Sequence, residues 1–143
     1  MSQCAPTGRV TPFCDSLLTG AAAQTASLTG HWNVEAEHAY SGCRISGSAI
    51  VTASEHGNDY RADIVLHQAC PDGRQWDATQ SCLLTSTDAF IVVECTLISA
   101  TPANYRPDNF ALEQRSATTL EGTLQSNLRW STRWTRPAGA LVS

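Results

Sequence analysis

The chain has 143 residues, 42% hydrophobic and 15% charged, which is enough for one globular domain with a single core. The formal net charge is -4, and the basic residues are all arginines scattered along the chain, so no basic stripe for nucleic acid is present. No run approaches the ~20 consecutive apolar residues of a membrane helix. These features exclude a nucleic-acid partner and a helical membrane span.

The first 29 residues form a leader of mainly small and polar residues. Within it, "TPFCDSLLTG" offers Thr11 as a helix cap, Pro12 at the first helical position and Gly20 as a stop. The sequence therefore predicts a short N-terminal helix or turn. We assign 1–29 to this leader, 30–137 to the folded domain and 138–143 to a C-terminal tail.

From His31 onward, apolar and polar residues alternate with a period of two, and turn residues divide the pattern. We predict strands near 31–38, 43–53, 59–69, 74–84, 89–99, 109–115, 118–125 and 128–135. Most connections are short enough for hairpins, and "SATPANYRPDN" is the one long loop. The pattern favours an all-β, eight-stranded antiparallel up-and-down β-barrel over a sandwich, which would need more long crossovers.

Alternate positions along the predicted strands supply the barrel interior. One phase gives a mixed lining of small, aliphatic and aromatic residues: Trp32, Val34, Ala36, Cys43, Ile45, Gly47, Ala49, Val51, Tyr60, Ala62, Ile64, Leu66, Trp76, Ala78, Phe110, Leu112, Leu120, Leu124, Trp130 and Trp134. Eight strands leave an interior that side chains can just fill. A packed interior and a hollow one that encloses a ligand both remain open.

The cysteines are even in number and none lies in a C-x-x-C pair, which favours disulfides over a zinc site. The candidates are Cys4, Cys14, Cys43, Cys70, Cys82 and Cys95. We expect a local Cys4–Cys14 clasp and a link between neighbouring strands among Cys70, Cys82 and Cys95; free buried thiols are the alternative. Disulfides imply an extracytoplasmic protein, periplasmic or secreted, although the chain starts without a signal-peptide pattern.

No group of residues identifies a reaction. Glu35 and Glu37 share one strand face while His38 points to the other, and the remaining histidines lack metal-ligand spacing. The Gly-x-Ser-x-Gly signature and glycine-rich phosphate loops are missing. We therefore expect no catalytic residues, no metal and no cofactor.

The segment "LTGHW", followed by a β meander and ending in "LRWSTRWTRP", resembles the calycin superfamily: lipocalins, fatty-acid-binding proteins, avidins and bacterial metalloprotease inhibitors. In that group a Gly-x-Trp opens the first strand, and an arginine from the chain's end packs across the tryptophan. The resemblance implies that Gly30 and Trp32 open the barrel and that Arg136 or Arg133 closes it. An arginine plane on an indole face gains cation–π attraction.

Two functional hypotheses follow; a third, an isomerase or hydrolase built in the barrel interior, lacks a visible catalytic set. In the first, the protein is a non-enzymatic, lipocalin-like binding protein, exported by a bacterium, that takes a small apolar or amphiphilic ligand into the barrel. The predicted ligand-binding residues are Tyr60, Trp76, Trp130 and Trp134 in the barrel, and Tyr105 and Arg106 near the opening. In the second, the protein inhibits a secreted zinc metalloprotease through its N-terminal leader. The sequence resembles bacterial protease inhibitors, whose leader enters the protease cleft, in the order of a few residues: Leu28, Gly30, Trp32, Cys43 and Tyr105-Arg106-Pro107.

Overall fold

The computed structural model describes residues 27–55, 59–126 and 128–137, which form a closed β-barrel. Eight antiparallel strands follow one another in chain order. Their bounds are β1 Gly30–Glu37, β2 Arg44–Ala53, β3 Asp59–Ala69, β4 Gln75–Thr87, β5 Phe90–Thr101, β6 Asn109–Ser116, β7 Thr119–Gln125 and β8 Arg129–Thr135. The predicted eight-stranded up-and-down barrel is confirmed, and the predicted N-terminal helix or turn lies outside the described residues.

The barrel closes where the last strand returns to the first. Each strand pairs with its successor, and β8 pairs with β1 from Asn33↔Thr135 to Glu37↔Ser131. Because successive strands run in opposite directions, β1, β3, β5 and β7 all begin at one end of the barrel, and β2, β4, β6 and β8 all begin at the other. We call the first end the floor and the second end the mouth.

The barrel interior is filled by the side chains of alternate positions. Trp32, Trp134 and Phe110 are the largest fully buried residues. The rings of Phe110 and Trp134 pack edge to face, with 5.2 Å between their centroids. On every strand for which the sequence analysis names inward-facing residues, the buried positions are those that the alternation predicts. Residues that the predicted lining omitted are also buried inside, on β4 and β5: Gln80, Cys82, Leu84, Ile91 and Val93.

Two inward-facing glycines allow the strands to bend around the core. A Cβ atom at Gly47 would lie 2.0 Å from the carbonyl oxygen of Val65, and one at Gly122 would lie 2.0 Å from that of Ala111. No side chain fits so close to a neighbouring backbone. These glycines therefore mark sharp corners of the closed sheet.

Arg136 and Trp32 seal the floor. The Arg136 guanidinium lies 4.1 Å from the Trp32 ring centroid and donates to the carbonyls of Ser27, Thr29 and Ala117 at 2.6, 2.8 and 2.9 Å. Trp32 in turn donates from Nε1 to the Leu28 carbonyl at 2.8 Å. Burial lowers the pKa of the Arg136 guanidinium, and the nearby Tyr60 partly opposes this change. The floor is closed by side chains from both ends of the barrel sequence.

Gly30 supplies the backbone shape that this closure needs. It has a φ of 129°, which favours glycine, and a Cβ there would lie 3.6 Å from Nη1 of Arg136. Arg133 takes no part in the seal, because it lies on the outer face of β8 and pairs with Glu121 at 2.6 Å. Of the two arginines that the resemblance offered for closure, the structure places Arg136 on Trp32.

Two disulfides link neighbouring elements. Cys82–Cys95 joins β4 to β5 inside the barrel, which is a link of the expected kind, whereas Cys70 pairs with Cys43. Cys4 and Cys14 lie outside the described residues. Disulfides are typical of extracytoplasmic proteins. In the part of the chain that the structure describes, no helix has the length and apolarity needed to cross a membrane.

Candidate functional site

The mouth opens into a cleft of about 280 Å³, which we call the mouth cleft. All four connections at that end contribute to it, namely the turns between β1 and β2, β3 and β4, β5 and β6, and β7 and β8. Its described lining residues are Ser41, Cys43, Gln68, Cys70, Arg74, Trp76, Asn104, Tyr105, Arg106, Ser126, Leu128 and Trp130. Aromatic, aliphatic and hydrogen-bonding groups thus converge at one end of the barrel.

The turn between β1 and β2 is held by His38. Its Nδ1 lies 2.7 Å from the Ser41 hydroxyl and accepts a hydrogen bond from the Ser41 backbone at 3.2 Å. The Ser41 hydroxyl also accepts from the backbone N–H of Cys43 at 3.1 Å. The His38 ring packs against Trp130 at 5.5 Å between centroids. These contacts fix one wall of the cleft to an indole of β8.

The Cys43–Cys70 disulfide forms part of the same wall. It connects the residue before β2 to the residue after β3, and both cysteines line the cleft. Gln68 contacts it through Nε2, 3.7 Å from the Cys70 sulfur. The bridge therefore ties together the first two turns of the mouth.

Trp76 forms the wall at the start of β4. Its indole N–H donates to Oδ1 of Asn104 at 3.0 Å, and the Arg74 guanidinium lies 5.5 Å from its ring centroid. Arg74 is itself paired with Asp72 at 2.7 Å, and the hydrogen bond from the Arg74 backbone, with the Arg74 side chain, lowers the pKa of Asp72 against the opposing effect of desolvation. The half-buried indole is thus anchored to two different loops.

A buried polar network holds the long β5–β6 loop onto the barrel. Asp108 is fully buried, and its Oδ2 accepts from the Tyr105 hydroxyl at 2.7 Å and from Nε2 of Gln80 at 2.9 Å. The Asp108 backbone N–H donates to Oε1 of Gln80 at 2.8 Å. Gln80 lies at a β-bulge between β4 and β5, an irregularity that can re-aim a side chain. The network positions Tyr105 in the cleft.

Burial controls the ionisation of this network. It raises the pKa of Asp108 above 3.8, while the hydrogen bonds from Tyr105 and Gln80 act in the opposite direction. Burial also raises the pKa of Tyr105, and the charge of Asp108 and the hydrogen bond to it add to that increase. Tyr105 is therefore a hydrogen-bond donor at neutral pH, and its donor capacity is used by Asp108.

The predicted ligand-binding residues separate into two groups. Trp76, Trp130, Tyr105 and Arg106 line the mouth cleft. Tyr60 lies at the other end, because β3 begins at the floor, and Trp134 is fully buried near the end of β8. Strand direction explains the difference, since an inward-facing residue reaches the mouth only if it lies at the mouth end of its strand.

Sequence reasoning missed several residues of this region. The alternation that assigns Trp76 and Ala78 to the barrel interior also points Gln80 inward, but a polar residue carries no signal for a place in the core. Asp108 lies in the long loop "SATPANYRPDN", where no local pattern indicates a buried carboxylate. Ser41 had no signal beyond its place in a predicted turn. Leu128, which is 46% exposed, had none beyond its place at the start of the last predicted strand.

A second, larger groove of about 490 Å³ lies across β1, β6, β7 and β8, and its exposed side chains are mainly charged. Arg133 and Arg115 both pair with Glu121 there, at 2.6 and 3.4 Å. It offers no aromatic anchor, so the mouth cleft is the stronger candidate site. Within residues 27–55, 59–126 and 128–137, no group of three His, Cys, Asp or Glu side chains could hold a metal ion.

No protein-family model matches the chain, and no curated protein matches it. Solved structures do. A de novo designed fluorescence-activating β-barrel has a TM-score of 0.55 at 17% identity, covering 82% of this chain and 98% of that one. The redesigned barrel mFAP1, bound to DFHBI, has a TM-score of 0.56 at 19% identity, covering 76% and 94%. The redesigned barrel mFAP0, also bound to DFHBI, has a TM-score of 0.55 at 20% identity, covering 76% and 98%. At these identities the likeness shows a shared barrel fold.

Proposed function

We propose that this protein is a non-enzymatic binding protein that holds a small apolar or amphiphilic ligand in the mouth cleft. The observation that carries the proposal is the contrast between the two ends of the barrel. Arg136 and Trp32 close the floor, whereas four turns at the mouth surround a cleft with aromatic and aliphatic walls. Concave sites with apolar walls and a few placed polar groups are the usual form of small-molecule sites.

Exposed apolar surface in the cleft supports this proposal, because a bound ligand would remove it from water. Leu128 lines the cleft and is 46% exposed. Apolar surface left in contact with water favours a ligand by roughly 25 cal/mol per Å² covered. The solved barrels bound to DFHBI are compatible with a small ligand in this kind of fold.

The cleft also limits the size and affinity of the ligand. About 280 Å³ lies just below the ~300–1,000 Å³ of typical ligand pockets, so we expect a compact ligand. An apolar probe of about 17 non-hydrogen atoms, such as N-phenyl-1-naphthylamine, would gain ~0.3 kcal/mol per atom. The resulting ~5 kcal/mol corresponds to a dissociation constant of ~200 µM.

Titration with N-phenyl-1-naphthylamine tests the proposal. We expect saturable enhancement of its fluorescence, weakened about five-fold by Leu128→Ser, because ~1 kcal/mol of apolar contact is lost. The matched control is Phe90→Ser, which removes an exposed apolar side chain (60%) at the start of β5, at the floor end. Equal effects of the two substitutions, or no saturable binding, would overturn the proposal.

The alternative, inhibition of a secreted zinc metalloprotease, stays a prediction about the leader. The structure gives one useful boundary for testing it, because the Ser27 carbonyl already accepts a hydrogen bond from Arg136. Deleting residues 1–26 leaves that floor contact intact. Inhibition by the full chain that disappears in the truncated chain would support this function, and no inhibition by the full chain would reject it.

A further inference from the structure

We propose that the ligand of the mouth cleft is an anion, a compact aromatic or apolar body that carries one acidic group and places it against Arg106. This inference rests on the proposed function and specifies its ligand class. The charged residues among the described lining of the cleft are Arg74 and Arg106, both cations, and no Asp or Glu is among them. The chain as a whole has more acidic than basic residues, so the charge of this lining is opposite to that of the protein.

Ion pairing distinguishes the two arginines. Arg74 is neutralised by Asp72 at 2.7 Å, within the β3–β4 turn. The Arg106 guanidinium has no ion pair among the residues that the structure describes, although the Arg106 backbone carbonyl accepts a 3.4 Å hydrogen bond from the Ser126 hydroxyl. Arg106 is exposed, lies in the proline-flanked part of the β5–β6 loop and is one of the residues that line the cleft. Its guanidinium carries five N–H donors. It is the cation available to a ligand.

The nearest acidic residue in sequence does not compete for Arg106. Asp108 is fully buried behind the lining residue Tyr105, and Tyr105 and Gln80 already occupy one of its oxygens. Two other carboxylates near the mouth are committed to partners: Glu37 to Arg44 at 2.9 Å and Asp77 to His67 at 2.8 Å. An anionic ligand would therefore meet an unopposed guanidinium, whose planar fork fits a carboxylate, sulfonate or phosphate.

The rest of the lining requires that the anion also have an apolar body. Trp76 and Trp130 come from β4 and β8, and Leu128 adds an exposed aliphatic group beside them. A bare inorganic anion would leave these surfaces wet, and a neutral apolar molecule would leave Arg106 unused. An amphiphilic anion satisfies both parts of the cleft.

Two probes that differ in one acidic group test the inference. 8-Anilinonaphthalene-1-sulfonate carries a permanent sulfonate, and N-phenyl-1-naphthylamine has the same aromatic skeleton without it. We expect the sulfonate probe to bind about ten-fold tighter, since a charge-assisted hydrogen bond to arginine contributes on that order. Arg106→Gln should reduce the ratio of the two affinities to within about two-fold. The advantage of the sulfonate should also shrink in high salt.

Arg61→Gln is the matched control, because Arg61 is an exposed arginine near the floor end of β3, and it should leave the ratio unchanged. Urea midpoints of both variants establish that each is folded. A ratio near one in the unmodified protein, or a ratio that survives Arg106→Gln, overturns the anion inference while binding at the cleft stands. If neither probe binds, or if Leu128→Ser has no effect on either, the proposed function fails and the inference fails with it.

Discussion

Replacing Arg136 by alanine removes the contacts that seal the floor. The guanidinium donates three hydrogen bonds to the carbonyls of Ser27, Thr29 and Ala117 and covers the Trp32 ring at 4.1 Å. Hydrogen bonds that involve a charged group contribute about 1.5–3 kcal/mol each and a cation–π contact about 0.5–2 kcal/mol. Water can reach the freed carbonyls at this end, so we expect a loss of about 3–5 kcal/mol rather than the full total.

Urea denaturation measures this loss, and Arg133→Ala is its control. Arg133 is an arginine of the same strand region, but its side chain is 61% exposed and pairs with Glu121 on the outer surface. A surface pair of this kind contributes about 0–1 kcal/mol. With a urea slope of ~2 kcal/mol per M, Arg136→Ala should lower the midpoint by ~1.5–2.5 M and Arg133→Ala by less than ~0.5 M. Equal midpoint shifts would refute the assignment of floor closure to Arg136.

Two further predictions concern the mouth. Replacing Cys43–Cys70 by alanines should lower the free energy of unfolding by about 3.6 kcal/mol, and replacing Cys82–Cys95 should lower it by about 2.9 kcal/mol, from the loop-closure entropy for sequence separations of 27 and 13. Only the first pair lines the cleft, so only its removal should weaken probe binding in a titration. Burial raises the pKa of Asp108, so ionisation of this carboxyl opposes folding. The resulting loss of stability is absent below the ordinary pKa of 3.8, and it grows as the pH rises from 3.8 to the pKa of Asp108 in the folded protein. The stability of the unmodified protein relative to Asp108→Asn should therefore fall across that window in urea melts, and a constant or rising difference would contradict this.

The sequence predicts the strands well because the physical signals are local. Alternation fixes which side chains face inward, and glycine, proline and aspartate mark the turns, so predicted strand 59–69 coincides with β3. The barrel also followed from connection lengths, since short hairpins force neighbouring strands to pair. Neither inference requires knowledge of distant contacts.

Other features depend on register and strand direction. Arg44 pairs with Ala69, and one more step toward the mouth puts Cys43 opposite Cys70, so hairpin register contained a signal for that disulfide. Strand direction would likewise have placed Tyr60 at the floor. The Gln80–Asp108 network had no comparable signal, because it joins positions 28 residues apart through a bulge and a folded-back loop.

The four tryptophans provide the most direct test of where a ligand binds. Trp76 and Trp130 line the mouth cleft, whereas Trp32 and Trp134 are fully buried toward the floor. In a two-dimensional ¹H–¹⁵N spectrum their indole N–H signals can be followed while 8-anilinonaphthalene-1-sulfonate is added. Ligand binding at the mouth predicts that the signals of Trp76 and Trp130 move in a saturable way and that the Trp32 signal stays in place. Movement confined to the signals of Trp32 and Trp134, or no movement of any of the four, would contradict it.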